Sequence, residues 1–397
     1  MHILKRKNIV ILIALVLIVS LLVTYVTRKL SNQTKQDTTQ DVVKEISADG
    51  ILEISKYGNV KINLEHSKVL DAFEYGDILT ISFSDVSVDV PLCVSFSDVD
   101  SGCPGLFLQI DEGMEETELA INMGNFAQTY NIAEKIVHED KSYEWQYLDG
   151  MSENICFNIS LKEKAGYLEQ FTIRSMTYTD SREDYSELSD EEFANFRKVT
   201  AGEIGDGVLF RSSSLTNPEH GRNIYADTSA KNAGVDVFID LADSDTSVLE
   251  YEGINDSYFI SQKYIAVAAS MDFTAKENCD KLAEALRFMI DNPGTYCIFC
   301  DEGKARAGIV VAILESLMDA SYDEIAQDYM QSFINYYKIS PNDEVYDMVL
   351  NGNLNKNLNS VLGVDPMKSN LKEAAQKYLI SIGLSEEEIT KLKTNLS

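Results

Sequence analysis

The chain has 397 residues, 45% of them apolar, which is enough for two or three cores of ordinary size. Its formal net charge is −30; the first thirty residues contribute +5 through Lys5, Arg6, Lys7, Arg28 and Lys29, leaving −35 on the remainder. Such a surface repels nucleic acid, so any anionic substrate must be drawn in by a local cluster of positive groups.

In chain order, residues 9–26 (IVILIALVLIVSLLVTYV) are uncharged and almost wholly apolar, behind Lys5-Arg6-Lys7. That length is about the minimum for a membrane span and long for the apolar part of a signal peptide. No small-x-small cleavage motif follows. The expectation is therefore a transmembrane signal anchor over residues 1–30 with the bulk of the chain outside the cytoplasm, and secretion after cleavage is the alternative. Residues 31–49 are polar and free of aromatics, a stalk. From residue 50 to about 180, short alternating runs such as NVKINLEHSKVL and DILTISFSDVSVDVPLCVSF are separated by Gly, Asp, Asn and Ser. This predicts a small all-β domain, barrel or sandwich. A charged bridge, TDSREDYSELSDEEFANFRKV, leads onward.

From residue 188 to 397 strands alternate with helices. GVLFRSS and VDVFIDLADS read as strand then loop, KENCDKLAEALRFMIDN as an amphipathic helix, YCIFC as a short buried strand, and GIVVAILESLMD and SYDEIAQDYMQSFINYY as helices. The third region is α/β with a helical back end.

Six cysteines (93, 103, 156, 279, 297 and 300) are too sparse for a disulfide framework, although Cys93 and Cys103 flank one turn and could pair. The four histidines share no ligand spacing with the cysteines, so neither a metal nor a cofactor is expected.

The chemistry concentrates in TYCIFCDEGKARAGIVV, which runs as strand, glycine turn and helix. A loop of this kind can aim successive amides inward while the following helix adds the positive end of its dipole, making a nest for a tetrahedral dianion. Gly303 supplies a backbone angle that a side chain would forbid. Arg306 can fork onto two phosphate oxygens, with Lys304 as a point charge. The same field favours Cys300 as thiolate, placed for in-line attack and a phosphocysteine that water then clears. Two other readings of Cys300 remain. C-x-x-C could be a redox pair, but on a strand Cys297 and Cys300 would lie about 10 Å apart on opposite faces. A merely structural thiol leaves Lys304 and Arg306 unexplained.

C-x₅-R at a strand-to-helix turn resembles the phosphate-binding loop of the protein tyrosine phosphatase superfamily. GVLFRSSSLT (residues 207–216), GVDVFIDLADSDTS (234–247) and YLISIGLSEEEITKLKTNL (378–396) are similar, in order and spacing, to segments of its bacterial, dual-specificity-like members over about residues 193–396. The resemblance implies a tyrosine-phosphatase-like α/β domain. It also implies phosphomonoester hydrolysis, on a phosphorylated protein or small phosphoester, through Cys300. Asp301, Glu302, Gly303, Lys304, Ala305 and Arg306 would bind the phosphate. Arg211 would brace the loop, with Arg197 in a similar role and Arg222 a weaker candidate. A general acid is required: Asp272, ahead of a helix in AASMDFTAKEN, comes first, with Asp301, Glu302 and Asp243 as rivals.

That group usually reads His-Cys-x-x-Gly-Lys-Asp-Arg-[Thr/Ala]-Gly, whereas this chain has Phe299, Ala305 and Ala307, and Ala242 where Asp-Leu-Arg is usual. These departures leave a catalytically weak phosphate-binding module as the alternative function. Separately, KYGNVKINL, SFSDVDSG and LAINMGNFAQTY resemble the C-terminal barrel of S-adenosylmethionine hydrolase-type enzymes over about residues 57–130, without that family's catalytic half; turn chemistry explains most of these residues without a ligand.

Overall fold

The computed structural model describes residues 44–397 apart from residue 112. The apolar run 9–26, expected to be a transmembrane anchor, and the stalk up to residue 43 lie outside the described residues. Among the described residues no helix is long and apolar enough to cross a membrane. Ile46–Ser397 forms one compact unit.

The first ten strands are β1 (Glu45–Asp49), β2 (Ile51–Ile54), β3 (Val60–Ile62), β4 (Ile78–Phe83), β5 (Val86–Cys93), β6 (Pro104–Asp111), β7 (Met114–Ile121), β8 (Ala133–Val137), β9 (Tyr143–Tyr147) and β10 (Cys156–Glu163). Eight of them form a sheet in the order β1-β10-β4-β5-β6-β7-β3-β2, while β8 and β9 pair as a separate hairpin. β1 and β2 stand at opposite ends of that order, yet only Gly50 separates them. The two edges must therefore meet at Gly50, and the sheet curls into a barrel, the arrangement that leaves no long edge exposed. Gly50 has φ +98°, and a Cβ there would lie 2.8 Å from the Glu153 carbonyl oxygen, so the corner requires glycine. Alternate residues fill the interior, among them Leu79, Ile81 and Phe83 of β4 and Phe157 and Ile159 of β10.

The all-β reading of residues 50–180 fails where helices intervene: His66–Ala72, beginning inside the run NVKINLEHSKVL, is a short helix, and the stretch after β10 forms another, α1 (Leu168–Ser175). The charged bridge beyond it is docked rather than free. Tyr185 is buried and its hydroxyl donates to the Tyr336 carbonyl at 2.7 Å.

Five further strands, β11 (Arg197–Val199), β12 (Leu209–Ser212), β13 (Val237–Asp240), β14 (Lys263–Ala266) and β15 (Tyr296–Phe299), make a second sheet in the order β11-β12-β15-β13-β14. All neighbours are parallel except β11 against β12. β12, β13 and β15 are buried throughout, which is how parallel strands read when both faces are covered. Tyr296, Ile298 and Cys300 face one layer, which holds α2 (Lys276–Asp291), α3 (Arg306–Leu317), α4 (Tyr322–Tyr337) and the C-terminal helices α5 (Leu371–Ser381) and α6 (Glu386–Leu396). Cys297 and Phe299 face the other, where the Phe299 ring meets Phe259 edge-on at 5.7 Å between centroids. The two cysteines of C-x-x-C thus belong to different layers. All six cysteines are unbonded, Cys93 and Cys103 included.

Beneath β12 lies a buried ionic cluster. Register places Arg197 directly opposite Arg211, two like charges side by side. Asp328 of α4 resolves the conflict, accepting from Arg197 Nε at 2.8 Å and Arg211 Nη1 at 2.5 Å. Burial opposes the Asp328 charge, but the two guanidiniums outweigh it and hold the carboxyl below its ordinary range. The Arg211 side chain has no solvent exposure. Replacing Asp328 by alanine strands the buried Arg211 and the partly buried Arg197 and should lower stability by about 3–5 kcal/mol. Urea unfolding of wild type and Asp328→Ala measures this, and a loss below about 1 kcal/mol would mean that the two cations do not depend on Asp328.

Candidate active site

Residues 300–305 connect β15 to α3, and what surrounds them dictates which way each peptide faces. Gly303 has φ +64°, and a Cβ there would come within 2.0 Å of the Ser212 carbonyl oxygen, so the loop presses onto the end of β12 at a point only glycine can occupy. Four successive carbonyls are engaged from outside the loop. Asp301 O accepts from the Ser214 amide at 3.0 Å and Glu302 O from Asn195 Nδ2 at 3.0 Å. Gly303 O and Lys304 O both accept from Arg211 Nη2, at 2.7 and 3.2 Å. Anchoring these carbonyls orients the peptides whose amides belong to Glu302, Gly303, Lys304 and Ala305; of these, the Gly303 amide donates to Cys300 O at 3.2 Å. Among the described residues, the amides of Asp301, Glu302, Lys304 and Ala305 have no protein acceptor. These amides, at the start of the twelve-residue helix α3, form a concave donor array with the helix dipole behind it.

The array opens into a pocket of about 370 Å³. Cys300, Asp301, Glu302, Ala305 and Arg306 line it from the loop, Asn217, Glu219 and His220 from the turn beyond β12, and Tyr178 from the docked segment ahead of β11. The Cys300 side chain is almost entirely shielded yet faces this space. Arg306 Nη1 donates to the Leu241 and Ala269 carbonyls at 3.3 and 3.2 Å, and Nη2 pairs with the Asp301 carboxylate. A bound dianion would compete with Asp301 for this guanidinium.

Several residues singled out from sequence lie elsewhere. Lys304 does not reach the pocket: its Nζ sits 2.5 Å from the Tyr337 hydroxyl and 2.9 Å from Glu302, over the rings of Tyr178, Phe333, Tyr336 and Tyr337. Burial works against its charge, but Tyr337 and Glu302 more than offset that and raise its pKa. The ammonium holds the loop's flank and is not a phosphate ligand in this arrangement. Asp272 is also outside the pocket lining. Exposed, its carboxylate accepts from the Thr274 hydroxyl at 2.5 Å and amide at 3.0 Å, and the hydroxyl above all lowers its pKa, the wrong direction for a proton donor. Glu302 accepts from Tyr178 at 2.5 Å; burial opposes its charge, but Lys304 and Tyr178 prevail and its pKa is lowered. Asp243 is buried beneath Thr216 and Tyr251, which donate to it at 3.0 and 2.8 Å. Its neighbour Asp240 is pushed well up, first by burial and then by Asp243.

Arg211 is a buried support and Arg197 a partly buried one, as described. Arg222 clamps the docked segment, donating to the Phe193 and Thr179 carbonyls and stacking 4.1 Å over the Phe193 ring. Ala305 lines the pocket where relatives carry aspartate, and Ala307 is buried in the first turn of α3.

Sequence reasoning passed over Tyr178, Asp180, Asn217, Glu219 and His220. One signal was available. His220 is one of only four histidines in the chain and stands in Asn-Pro-Glu-His-Gly, a turn placed just after the Arg211-Ser-Ser-Ser segment. Asn217 accepts from the Glu219 amide at 2.9 Å to cap that turn, and Gly221 ends it in the left-handed region.

Comparison with known proteins bears on the second half of the chain. A family model described as the tyrosine phosphatase family matches residues 191–397, just over half of the chain. It does not reach residues 57–130, whose likeness to S-adenosylmethionine hydrolase-type barrels gains no support. No match was found among curated proteins. Among solved structures, the chain is similar to an uncharacterized conserved protein from Thermotoga maritima, with 16% identity over 32% of this chain and 38% of that one, at a TM-score of 0.22. It is also similar to the core catalytic domain of the PP-IP phosphatase SIW14 from S. cerevisiae in complex with citrate, with 18% identity over 40% of this chain and 92% of that one, at a TM-score of 0.25. The chain thus spans well under half the length of the Thermotoga protein. From the family match over residues 191–397, just over half of its length, the chain belongs to the tyrosine phosphatase family.

Proposed function

We propose that the protein hydrolyses phosphomonoesters, a protein phosphotyrosine or a smaller phosphoester, through a phosphocysteine on Cys300. The observation that carries this reading is the orientation of the loop: the outward-held carbonyls leave the amides of Glu302, Lys304 and Ala305 free, with that of Asp301, beside Cys300 and Arg306. The amides and Arg306 take the phosphoryl oxygens. Cys300 Sγ attacks phosphorus, the bond to the ester oxygen breaks and its electron pair leaves with that oxygen. Water then attacks phosphorus, releasing inorganic phosphate and the thiolate. Donors fixed in place before the substrate arrives stabilise the transferring group at no reorganisation cost. In a chain so acidic, this array is the local positive field that an anionic substrate needs.

In the same reading, residues 188–397 carry the reaction and the barrel of residues 50–180 is an accessory domain. The apolar run 9–26 supports anchoring of the whole to a membrane. If it anchors, the full-length protein stays with membranes through an alkaline carbonate wash; release in a shortened form would establish cleavage instead.

Two substitutions test the chemistry. Cys300→Ser should remove nitrophenyl phosphate turnover by at least about 10³-fold while orthovanadate still binds, because every donor of the loop survives. Undiminished turnover would rule out the covalent route. Gly303→Ala forces a Cβ against the Ser212 carbonyl and must displace the loop, so turnover should fall by about 10²-fold and vanadate binding should weaken with it. Unchanged vanadate affinity in that variant would show that the amides do not form the anion site.

A further inference from the structure

A phosphate ester with a poor leaving group needs a proton delivered to the departing oxygen, and the residue expected to do this is not in the pocket. Asp272 is turned to Thr274, and the loop position where relatives carry aspartate is Ala305. The acidic side chains that do line the pocket are committed or unguided. Asp301 is paired with Arg306, and Glu302 with Lys304 and Tyr178. Glu219 is exposed, and among the described residues its carboxylate has no partner to orient it.

His220 differs from all of these. It lines the same pocket as Cys300 and Arg306, and its Nδ1 lies 2.9 Å from an Asp180 carboxylate oxygen. With Nδ1–H donating to Asp180, the exchangeable position on the ring is Nε2, which has no partner among the described residues. Both members are held from outside the pocket. The turn carrying His220 hangs from β12, where the Ser214 hydroxyl accepts from the Asn217 amide at 2.9 Å while the Ser214 amide binds the loop itself. Asp180 lies beside Arg222, whose Nε is 3.5 Å from its other oxygen and whose Nη2 donates to the preceding carbonyl, Thr179 O, at 3.0 Å.

We infer that His220 is the general acid of the reaction, with Asp180 as the positioning residue that orients its ring. The inference rests on the phosphocysteine reading above. As Cys300 attacks and the phosphorus–oxygen bond breaks, the proton on Nε2 passes to the leaving oxygen, so the product departs as a neutral alcohol or phenol. The neutral ring then takes a proton from the water that attacks the phosphocysteine, and Nε2 is restored for the next cycle.

The test is the dependence of turnover on the leaving group, measured with the full chain on nitrophenyl, phenyl and alkyl phosphates. His220→Gln should leave nitrophenyl phosphate turnover within a few-fold of wild type and slow the phenyl and alkyl esters by about 10²-fold. Asp180→Asn should steepen the dependence in the same direction by less. Orthovanadate inhibition should persist in both variants, which shows that the pocket is folded. A wild type inert on every ester would overturn the hydrolase reading and this inference with it. An active wild type with an equal loss on all leaving groups in His220→Gln, or with none, would overturn this inference alone. A steepened dependence in Asp272→Ala but not in His220→Gln would do the same and return the role to Asp272.

Discussion

Four carbonyls are held facing away from the pocket, and the rest of the site follows from that. A peptide group has a donor on one side and an acceptor on the other, so anchoring the acceptors fixes the donors. Arg211 holds two of the four and has no solvent to retreat into. Its Nη1 is taken by Asp328, which Arg197 also uses. A buried guanidinium would be a liability on its own account; here the cost of dehydrating it is offset by making it the joint between β12, α4 and the loop. The glycine at position 303 is the complement of that joint, because the loop can come close enough to be gripped only where no side chain intervenes.

The second sheet sets the direction of Cys300. Period-two alternation along β15 sends Tyr296, Ile298 and Cys300 to one layer and Cys297 and Phe299 to the other. The residue before Cys300 therefore points away from it. Phe299 fills an aromatic layer against Phe259, so the loss of a histidine at this position is compensated by packing there rather than by any group near Cys300. An imidazole in that layer would sit among apolar rings without a hydrogen-bond partner on the Phe259 side.

Much of this was legible because it is written in local patterns. The strand-turn-helix around Cys300, the need for Gly303, the separation of Cys297 from Cys300 and the α/β character of the third region all follow from spacing and alternation within a few residues. Most of what was not legible depends on groups distant in the chain. Lys304 looks like a phosphate ligand beside Arg306 until α4 brings Phe333, Tyr336 and Tyr337 around its ammonium. Asp272 is the exception: it has the right spacing and the right residue type, but a purely local partner, Thr274 two residues on, takes its carboxylate. The segment carrying Tyr178 and Asp180 reads as a polar bridge because its anchors, Arg222 and Tyr336, come from 43 and 151 residues downstream of the groups they hold.

That docked segment bears on what counts as the catalytic unit. The family match starts at residue 191, but Tyr178 lines the pocket and Asp180 holds His220, and both precede that point. They sit at the end of the strand-and-helix run that leaves the barrel, with Ile173 of α1 against the chain at Gly352. A fragment trimmed to the shared family length would keep the nucleophile, the amides and Arg306, yet lose one wall and the tether of the histidine. In the proposed mechanism the barrel's exit strap is thus a component of the catalytic apparatus, reaching the pocket through two side chains.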